Sequence, residues 1–222
     1  MFIYYLRSIA FMSVFYAFST IYFIVGLPVL VSDMLTYKYV KAWARIIIFI
    51  LRLFGVRSSV LNGNAVSTGA AIVCPNHQSY YEIILVFASL RKSVFIMKSS
   101  IMNIPIFNLY FKKMGMIPVD RSKFNKNWQA LAEEELKKGK QVVIFPEGTR
   151  VPIGGKVSYK PGAFRLAKNL NMKIYPVSTN SGEIWKGPGF IKKTGDIYIH
   201  FHEAVDPDPD LVREKIESVA LK

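Results

Sequence analysis

An uncharged run near the amino terminus, residues 8–32, restricts this chain more than any other feature, and Arg7 and Asp33 bracket it. As a helix rising ~1.5 Å per residue, it reaches roughly 37 Å, enough for the ~30 Å hydrocarbon core of a bilayer. Gly26 and Pro28 interrupt its last turns, where we expect a kink or a break. A cleaved signal peptide is disfavoured because the run is too long and Arg7 is the only basic residue before it. The pattern predicts a membrane segment and leaves open whether it spans the bilayer or dips into it.

A second apolar stretch, residues 42–56, is shorter and carries Arg45 and Arg52. It is typical of an interfacial or re-entrant helix rather than of a second full span. We therefore predict a membrane-anchoring helical segment over residues 1–57. Because Lys38, Lys41 and Arg45 outnumber Arg7, the positive-inside rule places the rest of the chain on the cytoplasmic side.

From about residue 58 the pattern changes to alternating short apolar runs and helical spacing. The predicted strands are 70–74, 94–97, 141–145, 173–177 and 196–201, and the predicted helices are 79–90, 127–138, 163–170 and 211–221. Elements that alternate in this way indicate a sheet covered by helices. We predict one α/β domain over residues 58–222.

The net charge of +14 is concentrated in the middle third of the chain. Residues 91–173 carry seventeen basic and five acidic side chains. Such an excess is either a solvated lysine surface or a face that binds phosphate or lipid headgroups. With 51% hydrophobic residues, membrane lipid fits better than nucleic acid as the anionic partner. The single cysteine excludes an intrachain disulfide framework and a thiolate-held metal cluster.

His77 follows the predicted strand 70–74, at the point where α/β sheets collect their sites. Glu82 lies five residues further on, little more than one helical turn away. A carboxylate there can accept a hydrogen bond from one ring nitrogen and leave the other free to take a proton from a hydroxyl group. Taken alone, the pair is more typical of a capping histidine beside a surface glutamate.

Four sequence blocks surround this pair in a fixed order. They are PNHQSYYE at 75–82, GMIPVDR at 115–121, FPEGTR at 145–150 and YPV at 175–177. In their order and spacing the blocks resemble the glycerolipid acyltransferase family, in particular its 1-acylglycerol-3-phosphate acyltransferases. The resemblance covers roughly residues 70–180, and the amino-terminal apolar segment is also similar to that of family members.

The resemblance implies a mixed sheet covered by helices, with His77 as the general base and Glu82 as the residue that orients it. Family members usually have Asp where this chain has Glu82, so the pairing geometry is the point to check. Arg121 and Arg150 resemble the family's phosphate-binding residues, and each can direct two donors at phosphate oxygens. The other implied substrate-binding residues are Glu147, Gly148, Thr149, Lys98 and Lys160. We expect Glu147 to hold its loop or to bind a glycerol hydroxyl.

The implied reaction moves a fatty acyl group from acyl-CoA or an acyl-acyl carrier protein to lysophosphatidic acid, giving phosphatidic acid. It needs the membrane as a lipid source, and we expect no cofactor, no metal and no nucleic acid. Lyso-ornithine lipid, glycerol 3-phosphate or another lysophospholipid are alternative acceptors. A basic membrane-bound module that recruits an anionic partner without catalysis is a further alternative.

Two other signals are weighed and disfavoured. Cys74 lies three residues before His77, but a cysteine at the end of an apolar strand is usually buried and inert. His200 and His202 would share one side of a strand, but no third ligand nearby completes a zinc site. A Gly-x-Ser-x-Gly nucleophile elbow is absent from the sequence.

Overall fold

The computed structural model describes residues 2–66, 69–120, 127–185 and 192–218. It begins with helix α1, Phe2–Val25, a 3-10 turn, Leu27–Val31, and helix α2, Asp33–Leu53. The chain turns back at Gly26, so the expected break at that glycine is confirmed. The two helices pack together, and the rings of Tyr22 and Tyr39 stack with centroids 4.2 Å apart. We call α1, the 3-10 turn and α2 the N-terminal helix pair.

Helix α2 also packs against the rest of the protein. Its Tyr37 hydroxyl donates a hydrogen bond to the Met114 carbonyl at 2.9 Å. The buried face of the helix consists of Thr36, Tyr37, Val40, Ala44, Ile47 and Leu51. The apolar stretch predicted over 42–56 is therefore the second half of a longer helix, which begins at Asp33. The turn at Gly26 and Pro28 separates this helix from α1, and the residues of its first turns were too polar to be included in the apolar stretch.

Seven strands form one mixed sheet in the order β1-β7-β6-β2-β5-β3-β4. Their bounds are β1 Val56–Leu61, β2 Ala71–Pro75, β3 Ser93–Lys98, β4 Ile117–Val119, β5 Gln141–Val143, β6 Ile174–Thr179 and β7 Gly195–Phe201. The five strands from β6 to β4 are parallel, whereas β7 runs antiparallel to β6 and β1 pairs parallel with β7. The predicted mixed sheet covered by helices is confirmed.

Helices cover both faces of the sheet, as the alternating pattern of the sequence predicts. They are α3 Tyr81–Ser89, α4 Phe107–Met114, α5 Asn127–Lys137, α6 Gly162–Asn169, α7 Ser181–Ile184 and α8 Pro209–Glu217, with a 3-10 turn at Ser99–Asn103. One core lies between the sheet and α1 to α4, and a second lies between the sheet and α5, α6 and α8. Val73 of β2 belongs to the first core and its neighbour Ile72 to the second, as the alternation of a strand requires.

The nine elements predicted beyond residue 58 are all present, with ends that shift by a few residues. Strand β5 ends at Val143 rather than at residue 145, and α8 begins at Pro209 rather than at residue 211. Strands β1 and β4, helices α4 and α7 and the 3-10 turn at Ser99–Asn103 were not predicted. Strand β1 crosses the predicted boundary between residues 57 and 58, and that division into two segments stays a prediction.

Candidate active site

Most of the predicted site residues lie in two loops at the carboxyl edge of the parallel strands. The loop after β2 carries His77, and the loop after β5 carries Glu147 to Arg150. Asn76 fixes the first loop against β6, because its side-chain amide donates to the Thr179 carbonyl at 3.1 Å and its amide oxygen accepts from Thr179 N at 2.8 Å. The backbone before His77 is therefore held by strand β6 and not by its own loop alone.

His77 and Glu82 form a hydrogen-bonded pair, with Nδ1 and Oε1 2.7 Å apart. The additional methylene of glutamate, relative to the aspartate usual in the family, does not prevent the contact. The His77 ring stacks on Phe145 with centroids 4.1 Å apart, and 13% of its side chain is exposed. No protein group in the described ranges hydrogen-bonds Nε2, so this nitrogen can face a substrate.

Glu82 is fully buried and surrounded by donors. Its two oxygens accept from the backbone N–H of Gln78 and Ser79 at 3.0 Å, from Ser79 Oγ at 2.5 Å and from Ser181 Oγ at 2.6 Å. Burial alone would raise the pKa of Glu82, but hydrogen bonds from His77, Ser181 and Ser79 outweigh burial and lower the pKa below its ordinary value. The carboxylate is therefore charged at neutral pH and can hold the His77 ring in one tautomer.

Glu147 lies behind His77 and is also buried. Its Oε2 accepts a hydrogen bond from the His77 backbone N–H at 2.9 Å. Burial raises the pKa of Glu147 to about 8, so the group is largely uncharged at neutral pH. Of the two expected roles, the structure shows the loop-holding contact. A neutral carboxyl here also removes the difficulty of an acidic residue beside an anionic ligand.

The turn after Glu147 brings further predicted residues to the same edge. Gly148 has a φ of +66°, a backbone conformation that side chains rarely adopt, and Thr149 is exposed. A Cβ at Gly148 would lie 3.3 Å from Cγ of Lys160, whose backbone N–H donates to the Pro146 carbonyl at 2.7 Å. The aliphatic part of the Lys160 side chain therefore covers the turn, although Lys160 as a whole is exposed to solvent.

Arg150 is the basic side chain best placed for an anion. Its guanidinium lies over the ring of Tyr80, 4.1 Å from the centroid, and the next residue, Val151, donates its N–H to the His77 carbonyl at 2.7 Å. Within the described residues, Nη1 of Arg150 is buried and has no hydrogen-bond partner. A buried guanidinium nitrogen without a partner is costly unless a ligand supplies an acceptor.

The two other basic residues predicted to bind the substrate phosphate are Lys98 and Arg121. Lys98 ends strand β3 at the carboxyl edge and is exposed, and in the described part of the chain it contacts neither His77 nor Glu147. Arg121 lies outside the described residues, so its role stays a prediction.

Sequence reasoning missed Ser181 and Asn76. Ser181 reaches Glu82 across 99 residues, and Asn76 reaches Thr179 across 103, so no local spacing could reveal either contact. Ser79 lies three residues before Glu82 in the sequence, which is the serine–glutamate spacing of a capping box.

The disfavoured signals have ordinary structural roles. Cys74 is fully buried in the core, and burial raises the pKa of its thiol. His202 Nε2 lies 2.6 Å from Ser178 Oγ, and burial lowers the pKa of His202 to about 4. Among the described residues no group of three or more His, Cys, Asp or Glu side chains could hold a metal ion.

A histidine–carboxylate pair with a free ring nitrogen is an arrangement that general-base catalysis uses. The acyltransferase family model matches residues 58–180, more than half of the chain. The protein therefore belongs to the acyltransferase family.

Several curated relatives are named 1-acyl-sn-glycerol-3-phosphate acyltransferases. The 1-acyl-sn-glycerol-3-phosphate acyltransferase of Pseudomonas aeruginosa is 29% identical over 168 residues, 73% of this chain and 65% of the relative. The chloroplastic enzyme LPAT1 of Arabidopsis thaliana is 30% identical over 85% of this chain and 55% of the relative, and the Escherichia coli enzyme is 30% identical over 66% and 63%. This chain therefore spans about half to two thirds of these relatives.

A solved structure has the same fold. The crystal structure of the 1-acyl-sn-glycerophosphate acyltransferase PlsC from Thermotoga maritima matches with a TM-score of 0.80 at 24% identity, over 96% of this chain and 93% of that one. At this identity the likeness establishes the fold, and the chemistry is argued from the side chains of this chain.

Proposed function

We propose that this protein transfers a fatty acyl group from an acyl thioester to the free glycerol hydroxyl of 1-acyl-sn-glycerol 3-phosphate, giving phosphatidic acid. The observation that carries the proposal is the His77–Glu82 pair, 2.7 Å between Nδ1 and Oε1, with Nε2 open at the carboxyl edge of the sheet. The names of the curated relatives support the choice of acceptor.

In the proposed reaction His77 Nε2 takes the proton of the acceptor hydroxyl as its oxygen attacks the thioester carbonyl. The C–O bond forms, the tetrahedral intermediate collapses, and the C–S bond breaks. The proton held by His77 then leaves with the thiolate as free thiol. Glu82 stabilises the imidazolium that forms in between, because its charge lies against Nδ1.

Arg150 offers the phosphate of the acceptor a positively charged binding position beside the His77–Glu82 pair. Arg150 supplies a buried N–H without a partner among the described residues, and stacking on Tyr80 fixes the plane of its guanidinium. We propose that Thr149 and Lys160, on the same turn and beside it, provide further donors. Lys98 and Arg121 complete the proposed set of phosphate-binding residues.

The acyl donor is acyl-CoA or an acyl-acyl carrier protein. Both carry negative charge, and residues 91–173 hold the excess of basic side chains that either would meet. The reaction as proposed uses no cofactor or metal, because proton transfer and charge stabilisation suffice for acyl transfer from a thioester.

We propose that the N-terminal helix pair attaches the protein to the membrane. Of the helices in the described residues, α1 is the one long and apolar enough to cross a bilayer. One face of this helix points outward, with Ile3, Tyr16, Ile21 and Val25 each more than half exposed, while Phe11 and Phe23 are buried on the other face. An apolar face of this size normally meets lipid or another protein.

The packing of α1 favours attachment to one leaflet over a full crossing. At its beginning Arg7 donates to the Lys192 carbonyl, and at its end Phe23 lies 4.8 Å from the Tyr110 ring, centroid to centroid. Since both ends contact the same domain, the helix lies along that domain rather than projecting away from it. The basic residues Lys38 and Arg45 are exposed on α2, which supports the anionic cytoplasmic surface as the side of attachment.

Transfer assays with detergent-purified protein test the proposal. Labelled acyl-CoA and acyl-acyl carrier protein are offered with 1-acylglycerol 3-phosphate, and lyso-ornithine lipid and glycerol 3-phosphate compete as acceptors. We expect phosphatidic acid from the wild type and a loss of about 10²–10⁴ in rate for His77→Ala. Product from another acceptor alone would replace the substrate and keep the mechanism. Salt-sensitive binding of an anionic partner that survives His77→Ala, with no turnover, would favour the non-catalytic module.

A further inference from the structure

Glu82 has more donors than a helix cap requires. Ser79 N–H donates to Glu82, and Ser79 Oγ accepts from Tyr81 N at 2.9 Å, so both groups of Ser79 serve the first turn of α3. Together with the Gln78 N–H, these contacts are local and account for the start of α3. The contact from Ser181 is different, because it comes from α7, 99 residues away and beyond β6.

The contacts of Ser181 direct its hydroxyl group at Glu82. The residue is fully buried, its backbone N–H donates to Thr179 Oγ1 at 3.1 Å, and its carbonyl accepts from Trp185 N at 2.9 Å. Its Oγ lies 2.6 Å from Glu82 Oε2, on the oxygen that does not contact His77. A second contact, from Gly182 N to Gln78 Oε1 at 3.1 Å, joins α7 to the same loop.

We propose that Ser181 is a positioning residue for the general base, holding the Glu82 carboxylate in the charged state and in the orientation that presents His77 Nε2 to the acceptor. This rests on the proposed acyl transfer. The Ser181 hydroxyl acts on the reaction through Glu82 and does not touch the substrate. A neutral donor to a buried carboxylate stabilises the charge that the imidazolium needs as its counterion.

Removal of the Ser181 hydroxyl has a defined electrostatic consequence. When His77 is neutral, the pair carries the full negative charge of Glu82, and the loss of one donor makes this state less stable. When the pair has taken up a proton, its net charge is zero, and the loss of the donor affects it less. The pair therefore takes up its proton at higher pH. In the described part of the chain two other groups lie near this pair: Glu147, which binds the His77 backbone, and Arg150, whose guanidinium lies over Tyr80, and the substitution alters neither residue.

The test compares Ser181→Ala and Ser181→Cys with a matched control, Ser178→Ala. Ser178 is also buried and hydrogen-bonded on β6, but its Oγ contacts His202 and the Ile216 carbonyl instead of Glu82. We expect Ser181→Ala to lower kcat about ten- to a hundredfold at unchanged KM for the lysolipid, and to move the acid limb of the pH–rate profile to higher pH. Ser181→Cys, a weaker donor of similar shape, should lie in between, and Ser178→Ala should match the wild type.

A Ser181→Ala protein with a wild-type unfolding midpoint, kcat and acid limb would overturn the proposal. If Ser181→Ala does not fold, the same comparison is made with Ser181→Cys. The titration of the His77 ring followed by NMR gives a reading that does not depend on turnover. If the wild type forms no product from any acceptor, the proposed function fails. The midpoint of the His77 titration followed by NMR then tests the role of Ser181 by itself. A shift to higher pH in Ser181→Ala supports the positioning role, and an unchanged midpoint overturns it.

Discussion

The carboxyl group of Glu147 accepts a hydrogen bond from the backbone N–H of His77, with 2.9 Å between nitrogen and Oε2. The contact joins the loop after β5 to the loop after β2, and Val151 N closes the same junction from the other side by donating to the His77 carbonyl at 2.7 Å. Both backbone groups of the proposed base are therefore bound by one neighbouring loop. The position of the imidazole depends on that loop as much as on Glu82.

Glu147→Gln should keep most of the activity, because the amide oxygen can still accept from His77 N. Glu147→Ala leaves that buried N–H without a partner and should lower both kcat and the unfolding midpoint, with a stability loss of about 1–3 kcal/mol. Steady-state kinetics and thermal unfolding in detergent measure the two effects. Equal losses in both variants would show that the charge of Glu147, rather than its acceptor oxygen, is what the site requires.

The same residue predicts a pH dependence of stability. Folded Glu147 keeps its proton up to about pH 8, whereas the unfolded chain releases it near pH ~4.3. The folded state therefore binds more protons between these values, and this group lowers the free energy of unfolding as the pH rises from about 4 to about 8. Denaturant unfolding of the wild type and Glu147→Gln across this range isolates the contribution. A difference between the two proteins that does not change with pH would contradict the prediction.

Arg150 should act mainly on the affinity for the acceptor. Arg150→Ala removes the buried donor and the contact with Tyr80, and we expect KM for the lysolipid to rise about ten- to a hundredfold with a smaller change in kcat. Arg150→Lys keeps the charge but loses the planar fork, so its KM should lie between the two. Arg165→Ala, an exposed arginine on α6, is the matched control. A KM for Arg150→Ala equal to that of the control would place the phosphate elsewhere.

The outward face of α1 should determine membrane binding without supporting the fold. Ile21 and Val25 are 63% and 70% exposed, so Ile21→Asn with Val25→Asn should leave the unfolding midpoint nearly unchanged and lower partition into vesicles about tenfold or more. Vesicle flotation measures the partition. The control is Val60→Asn with Leu211→Asn, two partly exposed apolar residues on β1 and α8. Similar losses in both double variants would argue against attachment through α1.

Much of the sheet could be predicted because its central strands are buried on both faces. All five residues of β2 are buried, so the strand appears in the sequence as a continuous apolar run. Strand β1 pairs only at the edge and buries one residue, Val56, so it leaves no such run. In α4 the buried Tyr110 and Met114 lie beside Lys112 and Lys113, and the helix is too short for its apolar spacing to be recognised.

The residues of the candidate site also fall into those that the local sequence predicts and those that depend on the tertiary fold. His77 and Glu82 belong to one local motif, and their spacing predicts the contact that the structure contains. The roles of Glu147 and Ser181 depend on which loops the sheet brings together, and the order β6-β2-β5 is a tertiary property that local patterns do not contain. The neutral state of Glu147 likewise follows from burial, which the motif around it does not indicate.

The position of Ser181 late in the sequence has a consequence for biosynthesis. A ribosome releases His77 and Glu82 about a hundred residues before α7, so the nascent chain holds a histidine and a glutamate that lack their third partner. The central strand β2 must wait for both β5 and β6 to be translated before its neighbours exist. We expect the apolar α1, which precedes these elements in the chain, to reach the membrane surface before α7 has been translated. On the proposed attachment through α1, the His77–Glu82–Ser181 contacts are then completed only after α7 has been translated, when the chain is already at a lipid surface.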